Sequence, residues 1–271
     1  MTPRTFARYV ALGDSTTEGL DDPDGEGGYR GWANRLAERV AAHQGSLDYA
    51  NLGIRGRCAR QIKEEQLGPA LALRPDLATI VAGMNDLLRG SFDARAIAGD
   101  IGDMQRALVD RGCVVLTFTI PDISRHLAMG PFARMLSRRT LALDDELRRV
   151  SPAAGAILLD LAAYDLATDP RLWSRDRLHA NAEGHARIAA ALAQLLGLPG
   201  TDDSWLAPLP APPPAGLRDR IAEDLAWGRD YLVPWLWRRV RGRTAGDHRT
   251  AKRPALSPMP AAAPPGRDRD R

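Results

Sequence analysis

Between residues 6 and 198 the chain alternates short apolar runs with longer stretches of helical periodicity, the pattern of a parallel α/β sheet. The apolar runs are 8–12, 47–52 ("LDYANL"), 76–82 ("DLATIVA"), 113–120 ("CVVLTFTI") and 156–160 ("AILLD"), so five strands are expected. Helical spacing of apolar residues fills the gaps at 29–43, 58–72, 93–111, 134–150 and 181–197. The last of these opens on Asn181, a suitable N-cap, and closes at Gly197.

After Leu198 the composition changes. "PGTDDSWLAPLPAPPPAG" is too rich in proline to hold a helix or a central strand. "LRDRIAEDLAWGRDYL" then places Leu217, Ile221, Leu225 and Leu232 on one side of an expected amphipathic helix. "VPWLWRRVRGR" is aromatic and basic, and the remainder is polar and proline-rich. The expected division is therefore a domain over 1–198, a linker with a C-terminal helix and a Trp-Arg segment over 199–243, and a disordered tail over 244–271. The extension has two readings. Either it packs back on the α/β domain, in which case truncation after Arg243 should be silent, or residues 231–243 make a weak contact with an anionic membrane surface.

Charge and cysteine usage exclude several classes. The formal net charge is +3, but residues 238–271 carry ten Lys plus Arg against three Asp, leaving 27 against 31, or −4, for residues 1–237. A mildly acidic body with a basic tail does not present the basic face expected of a nucleic-acid-binding fold, so no specific nucleic-acid partner is expected. Cys58 and Cys113 are far apart without metal-type spacing, which supports neither a disulfide framework nor a zinc site. Both are expected to be small buried hydrophobes. No apolar stretch approaches membrane-spanning length, and "MTPRTFARYVALGDS" reaches an acid too soon to contain the apolar core of a secretory signal. A cytoplasmic protein is expected.

In a parallel α/β sheet, ligands bind beyond the carboxyl ends of the strands. In this sequence those ends carry Gly13-Asp14-Ser15, then Gly53 in "NLGIRG", then Gly83-Met84-Asn85-Asp86, while "DRLHANAEGH" precedes the last helix with Asp176 and His179 three residues apart. Each block alone suits a turn or a cap. Together they supply what acyl transfer needs. Serine is a weak nucleophile unless a base lies within hydrogen-bond reach, and the base needs an orienting acceptor on its other nitrogen. Ser15, His179 and Asp176 fit those roles. The Ser15 and Gly53 N–H groups and the Asn85 amide are suited to an oxyanion.

The ordered set of "GDS" at 13–15, Gly53, "GMND" at 83–86 and "DRLH" at 176–179 resembles the SGNH, or GDSL, hydrolase family over about residues 6–198. The resemblance implies a flavodoxin-like three-layer α/β/α fold with a five-stranded parallel sheet. It also implies a serine esterase or lipase-type acyl hydrolase that needs no metal or cofactor and acts on a small-molecule ester. Ser15 is then the nucleophile, with Gly53 and Asn85 as oxyanion donors and Asp176 with His179 completing the triad. Thr16 departs from the apolar residue frequent there. The α/β-hydrolase alternative requires Gly-x-Ser-x-Gly, and Thr17 occupies the second glycine's place. No phosphate loop or dinucleotide fingerprint occurs. His43, His126, His185 and His248 are expected to be surface or structural, and Asp14 and Asp86 to brace the loops.

Overall fold

The computed structural model describes residues 4–127, 130–211, 216–234, 237 and 246–260. Strands β1 (Arg8–Gly13), β2 (Ser46–Asn51), β3 (Leu77–Val81), β4 (Val114–Phe118) and β5 (Ile157–Leu159) are mutually parallel. The sheet has six strands, not the five expected, in the order β5-β4-β3-β1-β2-β6. The sixth, β6 (Arg253–Pro260), pairs antiparallel with β2, matching Asp48 to Pro258 and Ser46 to Pro260.

The sequence hid β6 because "RPALSPMP" carries three prolines, and proline cannot donate to a ladder. An edge strand tolerates it. Residues 253–260, inside the 244–271 segment expected to be disordered, therefore close the β2 edge, and the prolines hinder further strand addition.

Alternation along the strands feeds two cores. On β1, Tyr9 and Ala11 face the helices α2 (Gly31–Gln44) and α7 (Ala182–Leu195), where Trp32, Leu36 and Leu192 are fully buried. Val10 and Leu12 face the other side, against α3 (Ala59–Ala72), α5 (Ala94–Val109) and α6 (Gly130–Ala153), with Ile62, Ile101 and Leu143. Two one-turn helices, α1 (Ser15–Glu18) and α4 (Met84–Leu87), follow β1 and β3 directly. The chain leaves β1 toward β2 on one side and, via α3, returns to β3 on the other. Ser15 thus stands where the connections diverge, at the carboxyl edge of the sheet.

Helix α8 (Leu217–Trp227) continues into a π-helical turn at Gly228–Leu232. Of the expected apolar face only Leu225 has a described side chain, and it is 71% exposed while Trp227 is buried; the side chains of Leu217, Ile221 and Leu232 lie outside the described residues. Trp205, earlier in the extension, is also buried and meets Tyr164 edge-on at 5.0 Å. Tyr231, Val233 and Trp237 are exposed, and the rest of the proposed membrane segment, Trp235, Leu236 and 238–243, lies outside the described residues. Among the described residues no helix is long and apolar enough to cross a membrane. Cys113 is buried as expected, whereas Cys58 is only half-buried, at the N-cap of α3.

Candidate active site

The turn after β1 is fixed from several directions. The buried Gln66 amide, on α3, grips the Gly13 peptide on both sides: Gly13 N–H donates to Gln66 Oε1 at 2.9 Å and Gln66 Nε2 donates to Gly13 C=O at 2.9 Å. A Cβ on Gly13 would stand 2.2 Å from Thr17 Oγ1 and 2.5 Å from the Val81 carbonyl, so only glycine allows this approach. Asp14 caps α1 by accepting from Thr16 N–H at 3.0 Å, and its other oxygen accepts from Asn85 Nδ2 at 2.9 Å. Burial pushes the Asp14 carboxyl up to about 6 against these bonds. Ser15 opens α1 and is 7% exposed.

Ser15 meets the loop before α7. His179 Nε2 lies 2.8 Å from Ser15 Oγ, and His179 Nδ1 lies 2.6 Å from Asp176 Oδ2. Asp176 Oδ1 accepts from Ser174 Oγ at 2.6 Å and from the Leu178 and His179 N–H groups at 2.9 and 3.0 Å. With Nδ1–H donated to the carboxylate, Nε2 carries the lone pair that accepts the serine hydroxyl. Burial alone would raise Asp176, but the bond to His179 and its charge, Ser174 and the loop amides outweigh it and hold Asp176 well below the usual carboxylate range. Burial likewise works to lower His179, and Asp176, Asp21 and Asp14 together raise it. Asp21 comes within 3.8 Å of His179 Nδ1. Asp21, Asp176 and His179 bring ligand-type atoms within 4.8 Å of one another, yet a protonated Nδ1 has no lone pair to give a metal.

Gly53, expected as an oxyanion donor, has its N–H directed elsewhere. Gly53 N–H donates to Asn51 Oδ1 at 2.9 Å, and a Cβ there would stand 2.8 Å from Glu18 N, so Gly53 is a packing glycine whose donor is already engaged. Asn51 in turn donates to Thr17 C=O at 2.8 Å and ties the end of β2 to α1. The second glycine of "NLGIRG", Gly56, takes a left-handed φ of 80°. Among the described residues its N–H and that of Ser15 have no protein acceptor. Asn85 Nδ2 donates to Arg57 C=O at 3.1 Å as well as to Asp14, which places the Gly56–Arg57 turn beside Asn85. Two glycines three residues apart are equivalent in the sequence, and only the backbone separates them. Asp86 braces the same region by accepting from Ala59 N–H at 3.0 Å, at the start of α3.

Around this cluster the surface is apolar. A small apolar pocket, partly open to solvent, lies beside the serine, lined by its chain neighbours Asp14 and Thr16 with Leu178 and walled by Phe118, Leu161 and Trp173. The extension touches this loop as well: Trp227 Nε1 donates to the Asp176 carbonyl at 2.9 Å. His185 is structural, as expected. It is buried, accepts from Trp32 N–H at 3.1 Å and donates to Leu20 C=O at 2.9 Å, and burial lowers it to about 4.

A buried serine bonded through a histidine to an aspartate, at the carboxyl edge of a parallel sheet, defines a hydrolase-type arrangement. The GDSL-like Lipase/Acylhydrolase family model matches residues 11–187, and the chain belongs to that family. It is an SGNH serine esterase by family. No curated protein matches the sequence. Among solved structures it is similar to the lipase Lip_vut3 from a goat rumen metagenome, with 16% identity, a TM-score of 0.57, and 70% of this chain and 97% of that one covered. The lipase/acylhydrolase from Enterococcus faecalis gives 22%, 0.56, 70% and 96%. The acetylxylan esterase Axe2 from Geobacillus stearothermophilus gives 17%, 0.57, 73% and 97%. At these identities the likeness concerns the fold.

Proposed function

We propose that the protein hydrolyses carboxylic esters through an acyl-enzyme on Ser15. The observation that carries this reading is the continuous bond path from Ser15 Oγ to His179 Nε2 and from His179 Nδ1 to Asp176, at 2.8 and 2.6 Å. Ser15 Oγ attacks the ester carbonyl carbon while its proton passes to His179 Nε2. Asp176 holds the ring and stabilises the imidazolium without taking the proton. Charge on the former carbonyl oxygen is met by Ser15 N–H, Asn85 Nδ2 and, in place of Gly53, Gly56 N–H. Asn85 must then exchange one of its present acceptors for the oxyanion. The C–O bond breaks, His179 returns its proton to the leaving alkoxide, and Ser15 is left acylated. Water, deprotonated by His179, repeats the sequence and releases the carboxylic acid.

The apolar pocket beside Ser15 favours an ester whose acyl group is itself apolar. None of these steps calls for a metal or cofactor. Ser15→Ala should lower hydrolysis of a p-nitrophenyl ester by on the order of 10⁴ to 10⁶ with an unchanged circular dichroism spectrum. More than a few per cent of the wild-type rate in the purified variant would overturn the assignment.

A further inference from the structure

Everything in the reaction above lies before residue 199, but the structure brings the C-terminal extension to the same loop. Four contacts converge on residues 174–179. Trp227 Nε1 donates to the Asp176 carbonyl at 2.9 Å. Arg177, next in the chain, pairs with Asp224 at 2.7 Å, one helical turn before Trp227. Its guanidinium lies 5.1 Å from the centroid of the Trp227 ring, and its Nη1 donates to the His126 carbonyl at 3.0 Å. Arg177 also adopts φ 62°, a left-handed backbone that a non-glycine residue keeps only where its surroundings hold it. Those surroundings are α8 and the segment ending at His126.

We propose that Trp227 is a positioning residue for the Asp176–His179 pair, and that α8 thereby makes the C-terminal extension part of the active-site scaffold. The bond is to the main chain of Asp176, so it acts on where the carboxylate points rather than on its charge. The carboxylate must stay in line with His179 Nδ1 for the opposite nitrogen to remain aimed at Ser15. The family match ends at residue 187, and the similar structures cover 70 to 77% of this chain while using 95 to 100% of their own length. Helix α8 lies beyond the residues that the family model matches. The same extension also reaches the opposite loop: a Cβ on Gly246 would stand 1.9 Å from the Arg55 carbonyl, beside Gly56.

The inference rests on the proposed mechanism for its kinetic consequence but not for its structural one, so the two are measured separately. The His179 ring is titrated by NMR in the full chain, in Trp227→Phe, which keeps the aromatic face and loses the N–H donor, and in Asp224→Asn, a half-exposed change that keeps Trp227. The charged and titratable groups facing His179 are Asp176, Asp21, Asp14 and His185. Only the alignment of Asp176 depends on Trp227. The midpoint should therefore fall toward the ordinary histidine value in Trp227→Phe and by less in Asp224→Asn. In parallel, kcat should drop about five- to tenfold at constant KM, the worth of about one hydrogen bond. A lowered melting temperature with an unchanged midpoint and kcat would make Trp227 merely structural and overturn the proposal, as would a rise in KM alone. If Trp227→Phe does not fold, the Asp224→Asn midpoint decides: a fall supports the proposal, no change overturns it. A wild type without esterase activity would sink the mechanism, while the titration would still decide the contact.

Discussion

His179 faces Asp176 at 2.6 Å and Asp21 at 3.8 Å, and although burial opposes its charged form, these carboxylates with Asp14 raise it above the ordinary 6.5. Catalysis needs the neutral ring, so activity should disappear as pH falls through a midpoint above 6.5, measured as kcat/KM against pH. The stability linkage has the opposite direction. A raised folded pKa contributes stability that is present below the unfolded value and lost as pH rises through the folded one, so His179 stabilises most where the enzyme is least active. Asp176→Asn removes the nearest charge and should move the acid limb down while lowering kcat by up to about 10⁴. An unmoved limb would mean that another group titrates. Asn85→Ala should lower kcat by about 10² to 10³ with little change in KM, because its amide is needed once charge has developed. Gly53→Ala should act differently. Its Cβ would meet Glu18 N at 2.8 Å and Asn51 Oδ1 at 2.9 Å, so the melting temperature should fall before any effect on the oxyanion is seen. A kcat loss without destabilisation would restore Gly53 as a donor.

Among the elements, the link between α3 and β1 is the one the site depends on most. Replacing Gln66 by Ala strands the buried Gly13 N–H, at about 1 to 3 kcal/mol, and removes one of two bonds to the Gly13 C=O, which still accepts from Ile54 N–H at 3.2 Å. Denaturant unfolding of Gln66→Ala should show a loss of at least about 1 kcal/mol. A loss under about 0.5 kcal/mol would mean that the turn holds itself. The strands and helices of the parallel core were legible because short continuous apolar runs and period 3.6 differ over such lengths, and Ser15, Asn85, Asp176 and His179 stood out as candidates because each sits at the end of an apolar run or just before the last helix. The sequence could not show Gln66, one amide on an ordinary helix. Nor could it separate Gly53 from Gly56, since φ is not written in the residue type. On α8 the periodicity pointed to Leu225, which is exposed, whereas Trp227 is buried because its N–H finds a carbonyl outside the helix. Helical spacing carries no information about that acceptor.

At the scale of the molecule, the segment after residue 245 alters the expected consequence of truncation. Lys252 Nζ donates to the Tyr29 and Arg30 carbonyls at 2.7 and 3.0 Å, with burial lowering the amine to about 8, and β6 then covers the β2 edge. Ending the chain before Lys252 should lower the melting temperature and promote concentration-dependent aggregation through the opened edge, rather than being silent. An unchanged melting temperature would show that β6 adds nothing to the fold. The central claim is that this scaffold activates one serine, and covalent labelling tests it most directly. Treatment of the full chain with a fluorophosphonate, followed by intact mass and peptide mapping, should give one adduct per chain on the peptide containing Ser15. The adduct should be absent from Ser15→Ala and strongly slowed in His179→Ala. Labelling that persists in Ser15→Ala, or hydrolysis of esters by a chain that the reagent leaves unmodified, would contradict the account.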